Sequence, residues 1–203
     1  MSDISAGQVR ELRDLTGAGL MDCKRALQET GGDVDKAIEL LRQKGLASAA
    51  KRAGRAANQG LIDSYIHFNN TVGALVEVNS ETDFVANTAE FKQLVKDVAL
   101  HIASPAAPSW LAREDVPAGV VEQEEHIARV QAKESGKPDH VIERIVDGKL
   151  KAFYEDSVLL EQPFVKDDSK TIQQLLDEVG AKVGEKVAVR RFVRYKLGES
   201  SED

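Results

Sequence analysis

Four histidines, one cysteine and 34 acidic side chains are the reactive inventory of this 203-residue chain, and their spacing decides what they could do. His67, His101, His126 and His140 are scattered, and no His-Glu-x-x-His run places two metal ligands on one helix face. They read as surface or partly packed histidines. Cys23 lies on an apolar helical stripe with Leu20 and Leu27, where a thiol serves as a small buried hydrophobe rather than a nucleophile. One cysteine also rules out an internal disulfide and a multi-cysteine metal site. The doublets Glu124-Glu125 and Asp167-Asp168 fit solvated faces better than paired-carboxylate chemistry. No phosphate-cradling Gly-x-x-x-x-Gly-Lys-Ser/Thr run exists, and Gly17-Ala18-Gly19 lacks the third glycine of a dinucleotide fingerprint. No catalytic residue, metal ligand or cofactor is therefore expected.

Two segments offer surface chemistry instead. In Thr16-Gly17-Ala18-Gly19-Leu20-Met21-Asp22-Cys23-Lys24, residues Leu20, Cys23 and Leu27 form the inward stripe of a helix. Met21 lies about 100° around from Leu20, so it points outward beside a glycine-rich loop. Methionine is an adaptable interface residue. In Glu77-Val78-Asn79-Ser80-Glu81-Thr82-Asp83-Phe84-Val85-Ala86-Asn87, a strand leaves its sheet, and both Ser80-x-x-Asp83 and Asn87-x-x-Glu90 have the form of a helix cap. A continuous helix would put Phe84 on the core stripe, seven residues before Phe91. A helix restarting at Asn87 would leave Asp83 and Phe84 on an exposed turn, as an aromatic anchor for a protein partner. Periodicity leaves both arrangements open.

The elements that must carry these segments are legible in the hydrophobic pattern. Ser5-Ala6-Gly7-Gln8 has the form of a capping box, followed by Val9, Leu12 and Thr16 on one stripe and Gly17 as a stop. A second helix fits Leu20 to Thr30, broken by Gly31-Gly32. Asp33 caps a third, with Val34, Ala37, Ile38 and Leu41 inward and an end near Gly45. The acid-free stretch Arg42 to Arg55 reads as an exposed helix or linker between two domains. The period then changes to two. Ile62, Ile66 and Phe68 alternate with Asp63, Tyr65 and His67 as a half-buried strand. Asn69-Asn70-Thr71 turns the chain into Val72, Ala74, Val76 and Val78, a hairpin. Val187, Val189, Val193, Tyr195 and Leu197 form one face of a last strand that completes a three-stranded antiparallel sheet. Between hairpin and last strand, Phe91 to Ile102, Val120 to Ser135, His140 to Tyr154 and Ser169 to Lys182 are helical, with a break at Gly136-Lys137-Pro138. The two charged central stretches have thin apolar faces and suit a protruding helical pair. The fold class is α+β: a small three-helix domain, then a sheet packed by helices.

Composition bounds the function. Hydrophobic residues are 42% and charged residues 30%, too apolar for disorder and too charged for a membrane protein. The longest stretch free of Asp, Glu, Lys and Arg, Val98 to Ala112, contains His101, Pro105 and Pro108 and cannot span a bilayer. Met1 to Ser5 show no basic start and apolar run, so no secretory signal and a cytoplasmic location are expected. Net charge is −7, with 10 basic and 8 acidic residues in positions 1–60 and 17 and 26 after them. An acidic chain lacking a broad basic face is a poor nucleic-acid binder. A protein partner is the better expectation.

On these residues the chain resembles the bacterial elongation factor Ts family, the guanine-nucleotide exchange factors of elongation factor Tu. Thr16 to Leu27 and Glu77 to Ala86 are similar to the two family signatures, and Gln162-Pro163-Phe164-Val165 and the basic-apolar last strand also match. The resemblance implies a ubiquitin-associated-type domain over residues 1–55 and an α+β dimerisation core over 56–203. It implies that Thr82, Asp83, Phe84 and Val85 intrude beside the switch region and Mg²⁺ site of the GTPase and promote GDP release. Leu20 and Met21, with Leu12 nearby, would contact its nucleotide-binding domain on another side. One core copy, where longer members carry two, implies a homodimer binding two GTPases, without direct contact to nucleic acid or membrane. A ubiquitin-associated-type adaptor is the alternative reading, and an RNA-binding translation protein using Arg42 to Arg55, Arg190, Arg191 and Arg194 is a third.

Overall fold

A computed structural model describes residues 4–16, 18–134, 136 and 138–199; Gly17, Ser135 and Lys137, on which a helix stop, a helix end and a break were expected, lie outside the described residues. Packing divides the chain into two compact units. One comprises Met1–Leu61, Val78–Leu94 and Gln174–Ala188; the other comprises Ile62–Glu77, Val95–Gln173 and Val189–Asp203.

The first unit begins with helices α1 (Ala6–Thr16), α2 (Leu20–Glu29) and α3 (Val34–Ala53). The capping box forms as expected: Ser5 N–H donates to Gln8 Oε1 at 3.0 Å, and Gln8 N–H donates to Ser5 Oγ at 3.2 Å. Val9, Leu12, Cys23, Ala26, Leu27 and Ala37 make a small core, with Cys23 fully buried. Gly31 and Gly32 break α2 at φ of 66° and 90°, a left-handed path that side chains with a Cβ resist. Asp33 then caps α3 by accepting the Lys36 N–H at 3.1 Å. Two expectations fail here. Helix α3 runs through Gly45 to Ala53, because a single glycine costs only about 1 kcal/mol and alanines follow it. Leu20 opens α2 half exposed, since at the first helical turn its side chain lies beyond the neighbouring helices.

The three-stranded antiparallel sheet has the order β1 (Gln59–Ile66), β2 (Val72–Ser80), β5 (Ala188–Lys196). Asn70 takes the left-handed conformation at the hairpin, and Asn69 Oδ1 accepts from Thr71 N–H and Oγ1. Gly60 is required where β1 approaches β2, because a Cβ there would lie 2.2 Å from the Val78 carbonyl oxygen. On β2 the expected alternation holds, with Ala74, Val76, Val78 and Ser80 buried. On β1 it is inverted: Leu61, Asp63, Tyr65 and His67 are half-buried, while Ile62 and Ile66 are about three-fifths exposed. On β5 the single inward face is also corrected. Val187 and Val189 are buried, but Arg190 and Arg191 are both exposed, after which Phe192 and Arg194 turn inward and Val193, Tyr195 and Leu197 outward. Counting apolar residues picked the wrong side in both strands, because the sheet leaves one apolar face open.

Helix α5 (Ala89–Ala103) buries Phe91, Leu94, Val95, Val98 and Ile102 as expected. Helices α6 (Ala118–Glu134) and α7 (Asp139–Ser157) form an antiparallel pair around Ala128, Ala132, Ile142 and Val146. Arg129 ties the two helices by an ion pair to Glu143 on α7 and also pairs with Glu125 on its own helix. A second sheet, β3 (Pro163–Phe164) with antiparallel β4 (Asp167–Thr171), was not expected, and it takes Ser169 to Thr171 from the start expected for α8 (Ile172–Val183). Two-residue strands carry no readable period. Within this second unit, the buried His101 ring donates from Nε2 to Gln162 Oε1 at 2.9 Å and accepts the Val165 N–H at Nδ1 at 3.2 Å. Gln162 Nε2 in turn donates to the carbonyls of Ala106 and Asp156.

Candidate functional site

The strand β2 delivers the chain into Thr82-Asp83-Phe84-Val85 through a run of local hydrogen bonds. Buried Ser80 ends the strand and donates from Oγ to the Thr82 carbonyl at 2.8 Å. Thr82, in extended conformation, caps the single-turn helix α4 (Asp83–Ala86) by accepting the Val85 N–H at 3.3 Å. Asn87 closes α4, donating from Nδ2 to the Asp83 carbonyl at 3.0 Å. Thr88 then donates to the Val85 carbonyl and accepts the Phe91 N–H at 3.2 Å, starting α5. The caps are thus Thr82 and Thr88, not Ser80 and Asn87. Threonine hydroxyls fill both roles at once, because each can accept from an N–H ahead and still donate.

This break between α4 and α5 decides the two arrangements left open by periodicity. Val85 and Ala86 are buried and anchor the turn, while Phe84 is 83% exposed with Thr82 and Asp83 exposed before it. Leaving a phenylalanine side chain in water forgoes about 2 kcal/mol of burial. Here that side chain stands on a turn that its neighbours hold still.

The hold is supplied by residues that sequence reasoning missed. The Glu185 carboxylate accepts the Glu81 N–H at 3.1 Å, the Thr82 N–H at 3.0 Å and the Thr82 hydroxyl at 2.6 Å. In return the Glu81 carboxylate accepts the Lys186 N–H at 2.6 Å and an Arg55 guanidinium N–H at 3.2 Å. Lys186 Nζ donates to the carbonyls of Ala53 at 2.6 Å and Arg55 at 3.2 Å, where α3 ends. The Lys186 N–H, followed by Arg55, holds the Glu81 carboxyl below its ordinary value against a smaller opposing effect of burial. No local signal marks Glu185, which is about a hundred residues from its partners.

At the α1–α2 connection, Met21 is 62% and Leu20 47% exposed, and Leu15 is exposed as well. Leu12 is fully buried in the three-helix core and presents no surface. Gly19 takes the cap position of α2, where a Cβ would come within 2.9 Å of Asp22 Oδ2. Among the described residues no group of three or more His, Cys, Asp or Glu side chains is placed to hold a metal ion, and no helix is long and apolar enough to cross a membrane.

A family model described as Elongation factor TS matches residues 18–199. The chain belongs to the elongation factor Ts family. Among its relatives, proteins named elongation factor Ts from Desulforamulus reducens and Geobacter metallireducens are 55% identical over 202 residues and 58% over 196. These alignments cover 100% and 97% of this chain and 93% and 90% of theirs. The elongation factor Ts of Coprothermobacter proteolyticus is 58% identical over 197 residues, 97% of this chain and all of its own. The matched span includes the exposed Leu20-Met21 and Asp83-Phe84 pairs and the Glu81–Glu185 cluster.

Proposed function

We propose that this protein is the guanine-nucleotide exchange factor of elongation factor Tu in translation elongation, and that Thr82 to Val85 perform the exchange step. The observation that carries this reading is Phe84, an exposed aromatic on a one-turn helix whose backbone is hydrogen-bonded on both sides. A rigid aromatic anchor loses little conformational entropy on docking and suits a contact that dominates binding.

In mechanism, the factor binds more tightly to the GTPase conformation that holds GDP and Mg²⁺ poorly. Linkage is reciprocal: the factor weakens GDP binding as much as GDP weakens binding of the factor. Phe84 wedges between elements of the GTPase, and Asp83 displaces the groups that steady Mg²⁺ and the phosphates, its carboxylate repelling the phosphates of like charge. Val85 keeps the turn on its own core, and Thr82 caps it. Leu20 and Met21 make a second contact, with Leu12 acting indirectly as the packing beneath them. No bond forms or breaks in this protein; GTP rebinds once GDP has left. The deciding experiment is release of labelled GDP from elongation factor Tu. Phe84→Ala is expected to slow release at unchanged folding, and a release rate equal to that of the unmutated factor overturns the reading.

We further propose a homodimer formed through the open sheet face, giving a two-to-two complex. Ile62, Ile66, Leu75, Val193 and Tyr195 stand on that face, and its charged pair, Glu77 and Arg191, neutralises itself at 2.8 Å. A neutral apolar face suits a second copy of itself about a two-fold axis better than a charged partner. Leu75→Asp is expected to yield the monomer mass by light scattering at micromolar concentration. A monomeric unmutated protein overturns this assembly.

A further inference from the structure

We infer that Glu185 is a positioning residue for the exchange segment, acting through a reciprocal carboxylate clasp with Glu81; the inference rests on the reading of Phe84 given above. The clasp has two halves. Glu185, on the turn after α8, receives two consecutive backbone N–H groups and the cap hydroxyl at the start of α4. Glu81, immediately before that start, receives the Lys186 N–H on the same turn after α8. Each carboxylate therefore grips the backbone beside the other, and neither segment can shift without breaking hydrogen bonds at both.

Several features separate this from ordinary surface pairing. The acceptors are charged and the donors are mostly backbone N–H groups, so little side-chain entropy is lost in forming the bonds, and charge-assisted bonds are the stronger class. Glu185 receives three donors, and one of them is the hydroxyl that caps α4, so it sets both the position and the rotamer of Thr82. Phe84 follows two residues later with no packing of its own to orient it. Its direction is set by the backbone of Thr82 and Asp83 on one side and by buried Val85 on the other. Removing Glu185 leaves Val85 and the Ser80 bond to the Thr82 carbonyl in place but releases the two N–H groups and the cap hydroxyl. The Thr82 side then loosens, and Phe84 samples directions that do not fit the GTPase.

Glu185→Gln separates geometry from charge. Its amide oxygen can still accept both N–H groups, so this variant is expected to keep most of the activity. Glu185→Ala removes all three acceptor contacts. Labelled GDP release from elongation factor Tu is measured against factor concentration for both variants, for Phe84→Ala and for the unmutated chain. Glu185→Ala is expected to lower the maximal release rate about tenfold, as the competent population falls, with a smaller change in the half-saturating concentration. Amide hydrogen exchange at Glu81 and Thr82 is expected to accelerate in Glu185→Ala and to stay slow in Glu185→Gln. Should Glu185→Ala not fold, Glu185→Asp replaces it, because withdrawing the carboxylate by one carbon breaks the same contacts. Unmutated release by Glu185→Ala alongside slow release by Phe84→Ala overturns the clasp alone. Unmutated release by both variants overturns the clasp together with the reading of Phe84. Equal slowing by Glu185→Gln and Glu185→Ala overturns positioning by hydrogen bonds.

Discussion

Two polar clusters, one in each compact unit, hold backbone in place by opposite means. The Glu81–Glu185 clasp is partly exposed, uses carboxylates and fastens a turn that carries an exposed aromatic. The His101–Gln162 network is buried and neutral, with each polar atom matched to a single partner or pair of partners around α5, the end of α7 and β3. Burial makes a hydrogen bond costly to lose but forbids charge, so a neutral imidazole and an amide suit the interior. Exposure screens each bond but tolerates charge, so carboxylates gripping N–H groups suit a segment that must meet water and a partner. Stability should therefore depend most on the buried network, and exchange most on the exposed clasp and the residue it aims.

The sharpest break of this contrast is Gln162→Ala. It strands the His101 Nε2–H and the carbonyls of Ala106 and Asp156 in the interior, at about 3 kcal/mol in urea unfolding. GDP release per folded molecule is expected to remain that of the unmutated chain. Phe84→Ala should invert this pattern, slowing release by about thirtyfold, as for a contact of about 2 kcal/mol, while the urea midpoint stays unchanged. Both variants failing in the same assay would erase the distinction.

Acid should separate the clusters by window. Burial pushes the His101 ring below its ordinary value of 6.5, with the Gln162 hydrogen bond acting more weakly in the opposite sense. The unfolded chain therefore binds that proton first, so the contribution of His101 is complete above about pH 6.5 and is lost as pH falls towards the folded value. Glu81 is also held below its ordinary value of 4.5, chiefly by the Lys186 N–H. Its contribution is complete above about pH 4.5 and is lost only at lower pH, through the folded value. Urea midpoints across pH 7.5 to 4 are expected to fall first through the His101 window. The protection of the Lys186 amide, its exchange taken relative to the unstructured rate at the same pH, should fall only in the Glu81 window. A flat midpoint down to pH 5 overturns the assignment to His101. The smallest effect belongs to Arg55→Ala: its guanidinium is half exposed beside Glu81, and its loss is expected to cost about 0.5 kcal/mol and to diminish further in high salt.

Much of the architecture is legible because it rests on local periodicity. The stripes of α1 and α5, the capping box at Ser5, the cap at Asp33 and the β1–β2 turn at Asn70 all depend on residues within one or two turns of each other. The errors share a cause as well. Ile62, Ile66, Val193 and Tyr195 are apolar and alternate correctly, but alternation identifies two faces without saying which is covered. Leu20 fits the helical stripe of α2, but a first-turn residue is buried only when a neighbouring element reaches it. Strand β3 is two residues long and has no period to read.

The candidate site divides in the same way. Residue types alone marked Met21 as a surface contact and the run Glu77–Asn87 as a candidate, and set aside catalysis for want of a constellation. They also carried the resemblance that gave Thr82–Val85 their role, before the match over residues 18–199 showed the family. They left Phe84 undecided between core and surface, since a helix of one turn and a helix of five share the same first residues. Only the folded chain decided it, by placing Thr82 and Thr88 at separate caps and burying Val85 beneath the turn. Glu185 came from the tertiary structure entirely. A hydrogen bond across about a hundred residues leaves no trace in spacing, because the backbone path between its ends, not the sequence beside them, brings donor and acceptor together.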